Sequence, residues 1–398
     1  MRSHLNRPPC LNSFVPHLDQ MLVMKKRCCA GKLTSAVALF FLLCVLSACG
    51  EKPSIKLGYV GGVSGRTADL GTGGRNGIQL AVEQTNAHGG VDGRKIELLL
   101  KDDETNPEKG KQAVKELIDA RVEAILGPMT SNVAEAVVPL TTEAGVLMMA
   151  GSVSGNGLSG KDDQFFRAVA ASSYHAAGMA KFLIEQRKIM SLNVVLELGN
   201  KAYTESWLAA FEKPYLAAGG RITRVVRYTS AQGFDFSVPA NAALKAKVDG
   251  IVLVTSAVDA SLLVNQLRQK QVAAQLITTE WAGTGKLIEL GGANVEGVFV
   301  PQYFNRDSEI PAYTAFRDTY RQRFKQEPGF PAVVGFNAAQ VVITALRERH
   351  GNEPLKQVLL RIRRFDGLQE PLVFDDFGDV RNMTYLTMVK DGRYVTAR

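Results

Sequence analysis

From Ser54 onward the chain alternates short apolar runs with amphipathic stretches, and this alternation limits its fold more than any other feature. "IKLGYVG" (55–61) is a buried-strand pattern that ends in glycine. "RNGIQLAVEQTNA" follows, with Ile78, Ala81, Val82 and Thr85 on one helical face. "IELLLKDD" (96–103) predicts the next strand, and "NPEKGKQAVKELIDA" opens a helix with Asn106 as N-cap and Pro107 at the first helical position. "VEAILG", a helix after Ser131 and "GVLMMAG" continue the series. A second series starts at "SSYHAAGMAKFLIEQ" and "LNVVLEL", and includes a helix expected to be disturbed at Pro214. It runs on through "VDGIVLVT", "AQLITTEW" and "VEGVFVPQYF" to two helices around 311–325 and 332–348. Repeated βα units imply α/β architecture, with parallel sheets, right-handed crossovers and helices on both faces. The strand count fits two doubly wound lobes better than one.

The first fifty residues have a different character. "MKKRCCAGK" is positively charged, and "LTSAVALFFLLCVL" is an uncharged run of 14 residues. That is short for a membrane span and matches a signal-peptide core. It ends in "LSACG", where Ser47 and Ala48 before Cys49 resemble the bacterial lipobox. In that motif cleavage occurs before the cysteine, whose thiol then carries lipid. Residues 1–48 are thus expected to be a leader, with translation starting at Met21 or Met24, and 49–53 a lipid-anchored linker. Several acyl chains on Cys49 suffice to hold a globule at a bacterial membrane from outside the cytoplasm. All five cysteines lie at or before residue 49, so the rest of the chain has neither a disulfide nor a cysteine metal site. Six of the 47 Lys/Arg and one of the 39 Asp/Glu fall within 1–48, which reduces the net charge from +8 to +3 after cleavage. That balance gives no reason to invoke nucleic acid.

Catalytic constellations are missing from the sequence. His88, His175 and His350 lie in separate elements, with His88 and His350 expected at the surface, and no HxxH spacing supports metal ligation. "GVSGR" is not a nucleophile elbow, "GTGGRN" fails the dinucleotide pattern at its last position, and "GTGKL" lacks the phosphate-loop ends. Asp102-Asp103 reads as a magnesium site or, better, as a strand-end turn cap. No cofactor is expected, and no enzyme activity.

Binding chemistry is better represented. Ligands of doubly wound sheets collect at the carboxyl ends of strands, against helix N-termini. "LGPMTSN" places Thr130 and Ser131 there, and "MMAGSVSGNG" places Ser152 and Ser154 at the end of the next strand. Two readings are open: a site for one delocalised negative charge, or a helix cap at Ser131 beside a plain turn. Glu280 in "TTEWAG" follows a buried strand, where a carboxylate calls for a cation. That cation is either a neighbour such as Lys286 or a ligand ammonium. Tyr203 stands at another strand-to-helix junction with a ring face and a hydroxyl. Hydroxyls for a carboxylate and an acid for an amine together describe an α-amino acid.

"VGGVSGRTADLGTGGRNGIQLAVEQTNAHGGVDGRKIELLLKDDETNP" and "ILGPMTSNVAEAVVPLTTEAGVLMMAGSVS" resemble the leucine/isoleucine/valine-binding protein family of type I periplasmic solute receptors. The likeness runs from residue 54 to about 345. It implies two lobes, 54–169 with 301–372 and 170–300 with 373–398, joined by a three-strand hinge and closing on an amino acid. It also implies a monomer that delivers its ligand to the permease subunits of an ABC importer. By position, Ser131 resembles the serine that binds the ligand carboxylate. Ser152 and Ser154 match a backbone contact and a hydroxyl of the same site, Tyr203 the second-lobe tyrosine, and Glu280 the acid that receives the α-ammonium. Two places depart from the family. "TSAVDAS" (255–261) has no aromatic residue and carries Asp259, and Trp281 replaces a small residue. The side-chain preference therefore stays open, as do a sensor or partner-regulating lipoprotein and a receptor for an amide, a urea-like compound or an aromatic acid.

Overall fold

A computed structural model describes residues 52–397. The leader, the lipobox and Cys49 lie outside the described residues. The first half alternates as expected through β1 (Ile55–Val60), α1 (Ala68–Ala87), β2 (Ile96–Lys101), α2 (Pro107–Asp119), β3 (Ala124–Leu126), α3 (Ser131–Ala144) and β4 (Leu147–Ala150), and adds a short strand the sequence did not predict, β5 (Phe165–Arg167). These five strands form one parallel sheet in the order β2-β1-β3-β4-β5. Asn106 caps α2, its side chain accepting from the Glu108 and Lys109 amides, and Pro107 follows it as read.

The chain then builds a second sheet through α4 (Ser172–Glu185), β6 (Ser191–Glu197), α5 (Lys201–Ala217), β7 (Arg221–Tyr228), α6 (Ser237–Ala243), β8 (Gly250–Val254), α7 (Ala257–Gln269), β9 (Gln275–Thr278), α8 (Gly285–Gly291) and β10 (Phe299–Gln302). Helix α5 continues through Pro214, which lies in its last turn, where the missing N–H removes only one late backbone bond. Next come α9 (Pro311–Phe324), α10 (Phe330–Arg347), α11 (Leu355–Ile362), β11 (Arg364–Phe365), β12 (Leu372–Val373), β13 (Tyr385–Lys390) and β14 (Arg393–Thr396). Helix α10 is apolar and long enough to span a bilayer, yet it is mostly buried, packing along α1 as a core helix.

The second sheet runs β14-β13-β10-β9-β8-β6-β7, with antiparallel pairing only at the β14-β13-β10 edge. That antiparallel edge was not legible in the βα pattern, because β13 and β14 form a hairpin that needs no crossover helix. Three connections pass between the sheets: after β5, after β10 and between β12 and β13. The third crosses later than residue 372. Phe374 packs edge-on against Phe166 at 5.5 Å, and the Arg167 amide donates to the Gly378 carbonyl at 3.1 Å. Residues 374–380 thus stay with the first sheet.

Candidate functional site

The turn from β3 to α3 depends on Gly127. At its φ of +107° a Cβ would fall 2.0 Å from the Val60 carbonyl oxygen, so only glycine fits. The following residues carry the chain into α3 with Thr130, not Ser131, as N-cap, and Thr130 makes no side-chain cap bond. Ser131 is the first helical residue. It is buried, and its Oγ accepts the Gly155 amide at 3.0 Å, which leaves its own proton free to donate. The reading of Ser131 as a mere cap is therefore not what the structure shows. From the next strand end, Ser152 Oγ donates to the Met129 carbonyl at 2.6 Å, while buried Ser154 hydrogen-bonds with Tyr303.

Glu280 begins a single helical turn, Glu280–Ala282, directly after β9. It is 1% exposed. Tyr203, in the first turn of α5, donates its hydroxyl to Glu280 Oε2 at 3.1 Å, and Oε1 has no hydrogen-bond partner. Lys286 does not supply the missing charge, because its Nζ pairs with Glu289 at 2.5 Å. Burial pushes the Glu280 carboxyl up to about 7, against lowering by hydrogen bonds, that from Tyr203 among them. Burial also holds the Tyr203 hydroxyl well above its ordinary range.

Ser131, Ser152, Ser154, Tyr203 and Trp281 meet around one small cavity of about 20 Å³. Leu70, Met129, Asn200, Tyr303 and Phe330 complete its wall. Glu280 does not face this cavity directly. It sits behind Tyr203 and lines a wider groove on the other side, together with His175 and Thr384. The second set of wall residues was missed from sequence. Tyr303 follows the carboxyl end of β10 and Phe330 opens α10, so the strand-end and helix-start rules applied to Glu280 and Ser131 could have found both.

The corner where "TSAVDAS" departs from the family is occupied by a charge pair. Arg66, from the loop after β1, reaches Asp259 in the first turn of α7 through Nε at 3.2 Å and a shorter Nη2 contact. Asp259 is buried and also accepts the Tyr228 hydroxyl at 3.0 Å, and Arg66 lies over the Phe236 ring at 5.4 Å. Two more bonds link elements of the first sheet to those of the second: Thr284 to Asp69, and the Asn132 amide to Asn200 Oδ1 at 2.9 Å.

The other titratable candidates resolve simply. Asp102 and Asp103 cap the turn after β2, accepting from the Val63, Glu104 and Thr105 amides. Among the described residues no group of His, Cys, Asp and Glu could hold a metal ion. His88 and His350 are exposed. His175 is buried, which pulls its imidazole down to about 4, and it stacks edge-on with Tyr303 at 5.1 Å.

Residues 54–393 match the periplasmic binding protein family. The leucine-, isoleucine-, valine-, threonine- and alanine-binding protein of Pseudomonas aeruginosa is 23% identical over 336 residues, covering 83% of this chain and 88% of that protein. Among solved structures, the substrate-binding protein LivJ of a branched-chain amino acid transporter from Streptococcus pneumoniae, in complex with isoleucine, superposes with a TM-score of 0.80 at 23% identity, over 86% of this chain and 97% of that one. A solute-binding protein of an ABC transporter from R. palustris, in complex with benzoate, reaches 0.78 at 19% identity, over 86% and 95%. The chain belongs to the periplasmic binding protein family, in the type I fold of its leucine/isoleucine/valine-binding branch.

Proposed function

We propose that this protein captures an α-amino acid between its two lobes, outside the cytoplasm, and delivers it as a monomer to the permease of an ABC importer. The observation that carries this reading is Glu280: a buried carboxylate that accepts the Tyr203 hydroxyl, leaves Oε1 without a partner and has no cation paired to it among the described residues. Burying a charge without a counter-ion is costly, so a ligand ammonium is the natural partner. Glu280 adjoins the cavity through two of its wall residues, Tyr203, which donates to it, and Trp281, the next residue in its turn. At the opposite end, the free proton of Ser131, the Ser154 hydroxyl and the first-turn amides of α3 suit a carboxylate without a cation. Because the Ser152 hydroxyl is committed to Met129, Ser152 contributes through its backbone. A lysine beside Ser131 would repel the ammonium, which explains an anion site without one. Lipid on Cys49 would keep the receptor near its transporter.

A thermal-shift screen of the purified protein, freed of co-purified ligand by unfolding and refolding, tests the proposal. One group of α-amino acids at 100 times its dissociation constant should stabilise by about 2.7 kcal/mol, a shift of a few degrees. No shift with any of the twenty would sink it. A second reading is favoured by the aromatic wall and by the neutral form open to Glu280 near pH 7: an aromatic carboxylic acid, as in the benzoate-bound relative. Benzoate would then stabilise where amino acids do not.

The raised Glu280 titration predicts a pH dependence with a definite sign. In the free protein the group binds more protons folded than unfolded between its ordinary 4.5 and about 7, so the protein loses stability as pH rises through that window. Ammonium binding needs the carboxylate, so affinity should rise about tenfold per unit up to pH ~7 and then level. Calorimetry from pH 5 to 8 reads this directly; a flat profile would argue against Glu280 as the ammonium partner.

Arg66 and Asp259 touch the closed form without lining the cavity. Arg66→Ala should weaken binding of any ligand by about five- to thirtyfold, since the pair joins the lobes only when they are shut. The loss should shrink at high salt, where the wild-type pair is itself screened. A loss confined to one ligand would mean direct contact instead.

A further inference from the structure

We infer that Trp281 is the specificity-determining residue of this site and restricts it to α-amino acids with small, uncharged side chains, glycine to valine in size. The inference rests on the amino-acid reading above. Beyond the polar end formed by the serines and Asn200, the cavity wall is Leu70, Met129, Tyr203, Trp281, Tyr303 and Phe330. No charged side chain lines it, and the two charges nearest the family's ligand corner, Arg66 and Asp259, are spent on each other. A charged ligand side chain would therefore be buried unpaired, so such ligands are excluded.

Size follows from how the wall is held. The closed cavity has about 20 Å³, little more than room for one water. Ligand sites are commonly about 300–1,000 Å³, so binding must displace part of this wall. Leu70 and Met129 belong to elements of the first sheet and retreat when the lobes part. Trp281 cannot retreat in that way. It is 9% exposed, sits in the same helical turn as Glu280, and its ring meets the Tyr203 ring edge-on at 5.8 Å and 84°. Tyr203 in turn is held by its hydroxyl on Glu280. Moving the indole thus disturbs the proposed ammonium site itself, so each added methylene on the ligand is overpacking against a fixed ring.

Isothermal titration of the purified chain with glycine, alanine, valine, leucine, isoleucine and phenylalanine tests this, repeated with Trp281→Ala and Trp281→Phe. The wild type should bind alanine or valine at least tenfold tighter than leucine, the low end of the selectivity that a single methylene can give in a fitted pocket. Trp281→Ala should reverse that order in favour of leucine or phenylalanine, and Trp281→Phe should narrow it; the conservative variant guards against loss of folding in the other. Leucine binding as tightly as alanine to the wild type, or an unchanged order in both variants, would overturn the inference while leaving the amino-acid reading intact. Failure of every amino acid to bind the wild type would instead overturn both.

Discussion

Glu280→Gln should weaken binding of every α-amino acid by about 2–5 kcal/mol, roughly thirty- to several-thousand-fold in dissociation constant, while leaving the fold unchanged. The substitution keeps the shape and the acceptor for the Tyr203 hydroxyl. It removes only the charge, and with it the counter-ion for an ammonium that binding would take out of water. Much of the loss is the cost of leaving that ammonium buried and unpaired rather than the strength of the pair itself. The same variant should unfold at a slightly higher temperature than the wild type at pH 8 in the absence of ligand. At that pH the native carboxyl is mostly ionised in a site that burial makes hostile to its charge. A neutral amide has no such penalty. Gain of stability with loss of affinity is the signature of a functional buried acid, and equal calorimetric affinities for wild type and variant would refute the ammonium assignment. An aromatic acid, lacking an ammonium, would bind the variant as well as the wild type. One pair of titrations therefore separates the two ligand classes.

The site was legible to the extent that strand ends and helix starts are legible. Ser131, Ser154, Tyr203 and Trp281 come together around one cavity because each lies in the turn or first helical turn after a strand whose apolar run marks its end. Tyr303 follows β10 in the same way and Phe330 stands at a helix start, but both are aromatic residues beside apolar runs, and nothing in a list of residue types sets them apart from core. The position of Glu280 behind Tyr203 was not readable either, since side-chain layering depends on packing and not on order along the chain. Asp259 was noticed as a departure from the family pattern. Its partner Arg66 lies 193 residues earlier, a separation at which sequence spacing carries no information. The fold was read well where period and length agree, over β1 to β4 and β6 to β10, and missed at the three-residue β5 and at β13 and β14. There a short hairpin closes a sheet whose other strands were recognised through their helices.

Asp379→Ala should destabilise the protein by about 3–5 kcal/mol, because it strips the counter-ion from a buried arginine. Arg167 is fully buried at the end of β5, and burial lowers its pKa against the pull of Asp379. Its Nε donates to Asp379 Oδ1 at 2.7 Å, its Nη1 to the Gly155 carbonyl at 3.1 Å, and its Nη2 to Ser159. Asp379 also accepts the Gly160 amide at 3.2 Å. One guanidinium therefore ties three pieces of chain: the strand that leaves the first sheet, the loop bearing Ser154 and Gly155, and the segment that returns towards β13. For a unit of this size, with unfolding entropy near ~2 cal/mol/K per residue, the loss corresponds to about 4–7 °C in Tm. The charge-free double variant Arg167→Met/Asp379→Leu should recover most of it, since the larger cost lies in the unpaired charge and not in the missing bond. A drop below one degree for Asp379→Ala would show that water already reaches Arg167. The effect should extend to binding, because Gly155 is the residue whose amide holds the Ser131 hydroxyl in place. Freeing the 154–160 loop would blur the carboxylate end of the cavity, so Asp379→Ala should weaken ligands through their carboxylate, amino acid and aromatic acid alike. That pattern is the opposite of the selectivity expected at Glu280.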